Sequence, residues 1–386
     1  MTDKKIITVV CLHNVFDYPP VINLVKCLLD LGCKVNLISY NVEKLEKSIL
    51  DNPDFSYRTT EYYWKPGIVD KIKKTILNTR FGKKEIKTAI RDSDLIWIST
   101  DATLRYLGKS VKGSKYVLQL MELLDHYFII SDKIKLEFPI SDYARDAWKI
   151  VIPEINRAYI QKTWWDLDNT PVVLPNKPYI SSLPLEDELP EEIKEKLEII
   201  KTEKRKVILY LGVIGKDREL ENYAEAISIL GDNYCFYIIG RPAYEGAEKI
   251  IESITSRYSN AVYLGHFNSP NHLPFIKYAY IGLLPYKVTI ASRNISILNA
   301  LYCAPNKIFE YAMYDVPMVG SDVLGLIHPF EKYGIGVCAD DSNPDDIKQA
   351  IEMVDNSHNK MASNCSAFLC ETDYKQIVKG IISNIQ

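Results

Sequence analysis

Short apolar runs that alternate with helical periodicity limit this chain to a small set of folds. The runs are almost continuously apolar, as in parallel strands that are buried on both faces of a sheet. They occupy residues 6–12, 35–39, 95–99 and 116–120 in the first half and residues 206–211 and 234–239 in the second. Helical periodicity follows over residues 21–31 and over residues 219–230. Strands and helices therefore alternate in both halves, which predicts two parallel α/β sheets.

Length, charge and cysteine usage narrow the class of protein. The chain has 386 residues, enough for two domains of ordinary size. Its 47 basic and 50 acidic side chains leave a net charge of −3, which does not indicate a nucleic-acid partner. The eight cysteines form no C-x-x-C pair, so we predict buried, unpaired thiols in a reducing compartment. Because no apolar run has the length of a signal peptide or a membrane span, we expect a cytosolic protein.

Residues 304–322 contain a predicted helix followed by a short strand that begins at Met318. Pro305 suits the first turn of the helix, and Asn306 is a candidate cap. Lys307 and Glu310 are three residues apart, so they share one predicted exposed face near the helix start. Amide groups and a lysine suit a diphosphate, and a carboxylate suits ribose hydroxyls. The alternative is a solvated Lys–Glu pair on an ordinary amphipathic helix.

A second candidate for phosphate binding is the loop that follows the strand at residues 206–211. It contains Gly212, Gly215, Lys216 and Arg218 and precedes a predicted helix. Strand, small-residue loop and helix form a common phosphate-binding arrangement, and the two cations can balance a leaving diphosphate. The loop is not a Walker motif because G-K-[ST] is absent. A solvated basic loop is the alternative.

Polar side chains follow the predicted strands of the first half. Open α/β sheets bind ligands at the carboxyl ends of their strands, although the first strand here lacks the G-x-G-x-x-G of a nicotinamide-binding domain. A carboxylate or an imidazole at such a position can orient or deprotonate an acceptor hydroxyl. Each side chain taken alone is also compatible with a purely structural role. The acceptor candidates are His13, Asn14, Asp17 and Asp101, and the catalytic candidates are Glu122, Asp125 and His126.

Residues 61–90 are basic, with eight Lys or Arg against three Asp or Glu. Ile68, Ile72 and Ile76 form an apolar stripe at helical spacing within this segment. A basic amphipathic helix of this kind can lie on an anionic membrane surface. The alternative is that the stripe packs on the sheet. The membrane hypothesis concerns residues 61–84.

Several motifs resemble those of family 4 glycosyltransferases, which are retaining enzymes of the GT-B fold. Residues 305–311 read P-N-K-I-F-E-Y and residues 317–322 read P-M-V-G-S-D, close to the signature of one subgroup. Residues 210–220 resemble the phosphate loop of the family, with Asp217 in place of its second glycine. The resemblance implies two Rossmann-like parallel-sheet domains that face across a cleft. It assigns residues 1–178 to acceptor binding, 179–366 to donor binding and 367–386 to a helix that packs back on the first domain.

The resemblance also implies roles for individual residues. Glu310 would bind the ribose of a sugar nucleotide, and Lys216 and Arg218 would hold its phosphates. Tyr302 occupies the position of the first glutamate in the E-x7-E pattern of many relatives, so the contacts to the donor sugar stay open. The loops after two strands would flank the base. The full implied donor set is Gly212, Gly215, Lys216, Arg218, Gly240, Arg241, His266, Phe267, Tyr302, Pro305, Asn306, Lys307 and Glu310.

We therefore predict a glycosyltransferase that moves a sugar from a nucleotide sugar to a hydroxyl of a glycan or lipid-linked glycan, with retention. The resemblance suggests a role in cell-surface polysaccharide, capsule or lipopolysaccharide synthesis at the cytoplasmic face of the membrane. We expect no metal or other cofactor, and we assign no protein nucleophile. The alternatives are a nucleotide-sugar epimerase of the same fold and a non-catalytic nucleotide- or sugar-binding protein.

Overall fold

The computed structural model describes residues 4–59, 86–128, 137–179, 185–289, 294–383 and 385. The chain divides into two compact units. Unit 1 comprises Met1–Pro175, Ser292–Ser296 and Asp373–Gln386, and unit 2 comprises Asn176–Ala291 and Ile297–Thr372. The divisions predicted after residue 178 and before residue 367 thus fall at Pro175 and Asp373. The predicted membrane segment, residues 61–84, lies outside the described residues.

Unit 1 is built on a parallel sheet of seven strands in the order β3-β2-β1-β4-β5-β8-β9. Every residue of β4 and β5 is buried, as their apolar runs predict. A short antiparallel pair, β6 and β7, lies outside this sheet. The strands are β1 (Ile6–Asn14), β2 (Lys34–Tyr40), β3 (Phe55–Thr59), β4 (Leu95–Ser99), β5 (Tyr116–Gln119), β6 (Tyr127–Phe128), β7 (Glu137–Phe138), β8 (Lys149–Ile152) and β9 (Val172–Val173).

The helices of unit 1 include one from each end of the chain. They are α1 (Pro19–Asp30), α2 (Lys47–Leu50), α3 (Asp101–Leu107), α4 (Ile140–Asp146), α5 (Ile155–Trp164) and α14 (Tyr374–Ile382), and residues 86–91 are also helical. α14 is capped by Asp373, whose side chain accepts a hydrogen bond from the backbone N–H of Gln376. Lys375 of α14 pairs with Asp30 of α1 at 3.4 Å. The predicted return of the last helix to the first domain is therefore confirmed.

Unit 2 is built on a six-stranded parallel sheet in the order β12-β11-β10-β13-β14-β15. Its strands are β10 (Lys206–Leu211), β11 (Tyr234–Ile239), β12 (Ala261–Gly265), β13 (Ile281–Leu284), β14 (Met318–Ser321) and β15 (Gly336–Ala339). Counted along the chain, both sheets begin in the order 3-2-1-4-5, which is the Rossmann arrangement. Ligands bind such sheets at the switch point between the first and fourth strands. Two Rossmann-like domains were predicted, and both are present.

The helices of unit 2 flank this sheet. They are α6 (Glu191–Lys201), α7 (Leu220–Ile229), α8 (Glu248–Arg257), α9 (Leu273–Ile276), α10 (Leu298–Leu301), α11 (Asn306–Ala312), α12 (Leu324–Tyr333) and α13 (Pro344–Glu371). The sequence over residues 345–354 predicts a helix, and α13 continues nearly five turns beyond it, to Glu371. The extension has a polar sequence, and it is anchored because Cys365 and Phe368 are buried in the core of unit 2.

Candidate functional site

The signature helix α11 starts one residue earlier than a cap at Asn306 requires. Pro305 is the N-cap residue, in an extended conformation, and no side chain caps the helix. The prediction that Asn306 caps the helix is therefore wrong, because Asn306 is itself the first helical residue. Ile308 and Phe309 are buried, and Phe309 stacks on Phe368 with ring centroids 5.0 Å apart.

Glu310 is not on an exposed face, contrary to the sequence prediction. Its residue is only 4% exposed. Its Oε2 atom lies 3.0 Å from His272 Nε2 and 3.2 Å from Lys307 Nζ. Burial raises the pKa of Glu310, but the charges of Lys307 and His272 outweigh burial and lower that pKa to about 2. The site thus holds a carboxylate that is ionised at neutral pH and shielded from bulk water.

His272 is a member of this site that the sequence did not reveal. It immediately precedes α9 and lies 38 positions before Glu310, so no spacing rule connects the two. It is 7% exposed, and within the part of the chain that the structure describes its Nδ1 atom has no hydrogen-bond partner. Because His272 belongs to no motif, only the fold reveals that it lies beside the Glu310 carboxylate.

The predicted glycines at the ends of β10 and β11 lie against each other. A Cβ on Gly240 would collide with the carbonyl oxygen of Gly212, so the two backbones approach at a distance that only glycine permits. The backbone N–H of Gly212 donates to the Ile239 carbonyl at 3.0 Å, and that of Ile214 donates to the Arg241 carbonyl at 2.8 Å. Pairing thus continues past the ends of both strands and fixes the start of the basic loop.

Arg218 connects this loop to the end of β13. Its Nη1 donates to the Pro285 carbonyl at 3.2 Å, and its guanidinium lies 4.3 Å from the centre of the Tyr286 ring. β10 and β13 are neighbours, and in chain order they are the first and fourth strands of this sheet. Arg218 therefore lies at the switch point. Lys216 is exposed and forms no ion pair with any residue that the structure describes. Both cations are therefore at the edge where a ligand is expected.

The remaining donor candidates surround the same edge of the sheet. The loops after β11 and β12 meet where the Gly240 N–H donates to the Gly265 carbonyl at 2.9 Å. Arg241 and His266 are exposed there, whereas Phe267 stacks on Phe275 at 4.7 Å.

Tyr302 is the C-cap residue of α10, and residues 303–305 separate it from α11. The Asn176 side chain donates to the Ala304 carbonyl at 2.8 Å, a contact that the sequence did not predict. Asn176 thereby supports the backbone that immediately precedes Pro305.

In unit 1 the acceptor candidates do not all lie in a loop. β1 extends to Asn14, so His13 and Asn14 are its last residues, and the predicted end of this strand at residue 12 is wrong. The Asn14 side chain accepts hydrogen bonds from Asn41 Nδ2 at 3.1 Å and from the Phe16 N–H at 3.4 Å. These contacts give Asn14 a structural role at the strand end.

Tyr18 brings several of the other candidates together. Its ring centroid lies 4.9 Å from that of His13. Burial raises the pKa of Tyr18 above its usual range, and the charges of Cys11, Asp101, Glu122 and Asp17 raise it further. Burial also raises the pKa of Asp101, and the nearby Glu122 adds to that increase. Three carboxylates that were predicted separately thus act on one tyrosine that was not predicted.

Asp125 and His126 form a different group. His126 Nε2 lies 3.2 Å from Asp125 Oδ2, and its Nδ1 lies 2.7 Å from Glu137 Oε1. The hydrogen bond with Glu137 raises the pKa of His126. The imidazole is half exposed and its partners are surface carboxylates, so we interpret His126 as part of a surface ion pair.

Side chains on one face of α5, together with Trp165 just after the helix, fix the segment that carries Glu122. Arg157, Gln161 and Trp165 recur every fourth residue and are buried. They donate to the carbonyls of Met121 at 3.1 Å, Leu124 at 2.9 Å and Asp125 at 2.8 Å. Arg157 ends the sequence P-E-I-N-R at residues 153–157, so this segment helps to fix the loop.

The described part of the chain lacks two further kinds of feature. No group of three or more His, Cys, Asp or Glu side chains is arranged there to hold a metal ion. No helix there is both long and apolar enough to span a membrane. All eight cysteines are unpaired, and only Cys370 is exposed, with Cys338 partly so.

Comparison with known proteins gives matches of structure and not of sequence. No protein-family model matches the chain, and no curated protein sequence matches it. A glycosyltransferase from Rickettsia africae superimposes with a TM-score of 0.65 at 15% identity, over 99% of this chain and 100% of that one. HepE of Anabaena, in complex with UDP and glucose, does so with a TM-score of 0.68 at 11% identity, over 99% of each chain.

A third neighbour, WaaG, is a glycosyltransferase involved in lipopolysaccharide biosynthesis. It has a TM-score of 0.61 at 11% identity, over 97% of this chain and 98% of its own. These glycosyltransferases share the two Rossmann-like units described above. The fold is GT-B. At such low identity the likeness concerns the fold alone, so the activity of this chain is argued from its own residues.

Proposed function

We propose that this protein is a glycosyltransferase that uses a nucleotide-sugar donor and a hydroxyl acceptor and retains the anomeric configuration. The observation that carries the proposal is the buried, ionised carboxylate of Glu310, held by Lys307 and His272. Burying a charge is costly, and a group kept ionised in this way is suited to bind a ligand through strong hydrogen bonds. We assign it to the ribose hydroxyls of the donor.

Lys216 and Arg218 have the complementary role toward the diphosphate. Negative charge accumulates on the diphosphate as the bond to the sugar breaks, and positive groups fixed in advance stabilise that charge. Arg218 is held by Pro285 and Tyr286, so it is already oriented before the donor binds. Its remaining N–H groups can reach phosphate oxygens. We propose that this chemistry proceeds without a metal ion and without a protein nucleophile.

In unit 1 we propose that Glu122 orients the acceptor hydroxyl, with Asp17 and Asp101 beside it. Their shared effect on Tyr18 supports one polar group and not three unrelated ones. The acceptor that we propose is a glycan, free or lipid-linked, of a cell-surface polysaccharide. The similarity to WaaG favours this class, and fractionation of cells would test the cytoplasmic membrane face as the place of reaction.

A two-step assay tests the function. Thermal-shift measurements with UDP-, GDP-, ADP- and dTDP-sugars identify the donor, and UDP-glucose is tested first because HepE is described with UDP-glucose. The sugar-labelled donor is then incubated with glycan and lipid-linked acceptors. A labelled glycan supports transfer, whereas an isomerised sugar nucleotide indicates an epimerase. Binding without any turnover indicates a binding protein and contradicts the proposal.

A further inference from the structure

Both contacts of the Glu310 carboxylate are made to the same oxygen. His272 Nε2 and Lys307 Nζ lie 3.0 Å and 3.2 Å from Oε2. Among the described residues no hydrogen bond reaches Oε1. We infer that His272 is a positioning residue that, together with Lys307, holds Oε2 so that Oε1 accepts from the ribose of the nucleotide. This inference rests on the proposed function and adds a residue to the donor site.

The two partners of Glu310 differ in how well they can set its direction. Lys307 is on the same helix, is partly exposed and ends in an ammonium group that rotates freely. His272 comes from another segment, and its planar ring is almost completely buried. The terminal torsion of a glutamate is soft, so the carboxylate plane is set by whichever donor is itself rigid. That donor is His272.

The second ring nitrogen of His272 points to the same conclusion. Contact with a carboxylate assigns a hydrogen to Nε2, since the carboxylate can only accept. Nδ1 is buried, and its lack of a partner among the described residues is unusual for a native structure. A histidine retained only for packing would be expected to satisfy both nitrogens.

The test measures how strongly the protein discriminates between UDP and its 2′-deoxy and 3′-deoxy analogues. Calorimetry gives Kd for each nucleotide with wild type, His272→Leu and His272→Gln. We expect the wild type to bind UDP about ten- to a hundred-fold more tightly than the analogues, as for charged hydrogen bonds. The Leu variant should lose most of this ratio. The Gln variant should keep much of it, because its amide can still donate to Oε2.

Two further measurements separate positioning from a general structural effect. The UDP-to-UMP ratio reports phosphate binding and should be the same in all three proteins. His358→Leu is the matched control. His358 is another histidine of unit 2 that forms a hydrogen bond through one ring nitrogen, 2.8 Å from the Tyr280 carbonyl, and its partner is not Glu310. It should leave the ribose ratio unchanged. In the pair Glu310→Gln and Glu310→Gln/His272→Leu, the second change should add little, since His272 acts through Glu310.

A wild-type ribose ratio in His272→Leu, or additive losses in the double variant, overturns the inference. If His272→Leu does not fold by circular dichroism, His272→Asn replaces it, because its shorter amide does not reach Oε2. Wild-type discrimination in the Asn variant then overturns the inference equally. A wild-type protein that binds UDP without discriminating the ribose contradicts the role of Glu310 itself. A wild-type protein that binds no nucleoside diphosphate contradicts the proposed function.

Discussion

The candidate carboxylates of the two units lie under opposite electrostatic conditions. In unit 2, burial of Glu310 is outweighed by Lys307 and His272, and the pKa of the carboxylate is lowered to about 2. In unit 1, burial raises the pKa of Asp101, and the negative charge of Glu122 raises it further. Glu310 lies within helix α11, whereas Asp101 is the first residue of α3, directly after β4. The two carboxylates therefore differ in position as well as in local charge.

This difference agrees with the chemistry proposed for each unit. A carboxylate that stays ionised is suited to bind a nucleotide with constant strength. A carboxylate whose ionised form is destabilised by a neighbouring carboxylate is suited to take up or share a proton from a neutral hydroxyl. The comparison leads to four predictions, three on nucleotide binding and transfer to the acceptor and one on stability against pH.

The largest effect is expected from the cations of unit 2. Arg218→Ala and Lys216→Gln should each lower turnover by about a hundred- to a thousand-fold while UDP affinity falls much less, because charge develops only in the transition state. Steady-state kinetics and calorimetry separate the two quantities. Lys249→Gln, an exposed lysine on α8, is the matched control and should have wild-type kinetics. Full turnover in both site variants would exclude them as the phosphate clamp.

Glu310→Gln should weaken UDP binding about ten- to a hundred-fold, because a neutral amide replaces a charged acceptor of the ribose hydrogen bonds. Unlike the cation variants, it should affect nucleotide affinity and turnover together. Calorimetry with UDP measures the first, and the labelled-donor assay measures the second. Unchanged UDP affinity would mean that the buried carboxylate is only structural.

In unit 1, Glu122→Gln should slow transfer to the acceptor about ten-fold or more, because a positioned carboxylate contributes to hydroxyl activation. UDP affinity should not change, in contrast to the variants of unit 2. Asp125→Asn and His126→Gln are compared in the same assay, and Asp92→Asn, an exposed surface variant, is the control. A larger loss in either of those two than in Glu122→Gln would move the acceptor group to the Asp125–His126 pair.

The smallest effect concerns stability, whose pH dependence should have opposite signs for Glu310 and Asp101. The pKa of Glu310 is depressed in the folded state, so its stabilising contribution is present above about 4.5 and is lost as pH falls toward about 2. The pKa of Asp101 is raised, so its ionised form destabilises the fold, and this penalty disappears when the pH falls below its ordinary pKa near 3.8. Glu310→Gln should lower the thermal midpoint at pH 7, whereas Asp101→Asn should raise it.

Thermal unfolding at pH 7 and pH 3 measures both shifts. The Glu310→Gln shift should diminish at pH 3, and the Asp101→Asn shift should nearly vanish there. Shifts of the same sign in the two variants at pH 7 would contradict the electrostatic contrast between the units.

The sequence alone determined the sheet architecture because that architecture follows from local pattern. The strands at 95–99, 206–211 and 234–239 have the predicted bounds, since a strand buried on both faces requires a continuous apolar run. The position of Glu310 on the signature helix came from the motif.

Only the tertiary structure decided which charges meet. Glu310 is buried and lies against His272, which no motif identifies. Asp101 and Glu122 lie close enough to Tyr18 to raise its pKa, and the buried donors Arg157, Gln161 and Trp165 fix the loop that carries Glu122. α13 extends to Glu371 because Cys365 and Phe368, in its second half, reach the core of unit 2. In each case the decisive contact joins residues distant in sequence, and the energies of buried polar groups depend on those partners more than on local pattern.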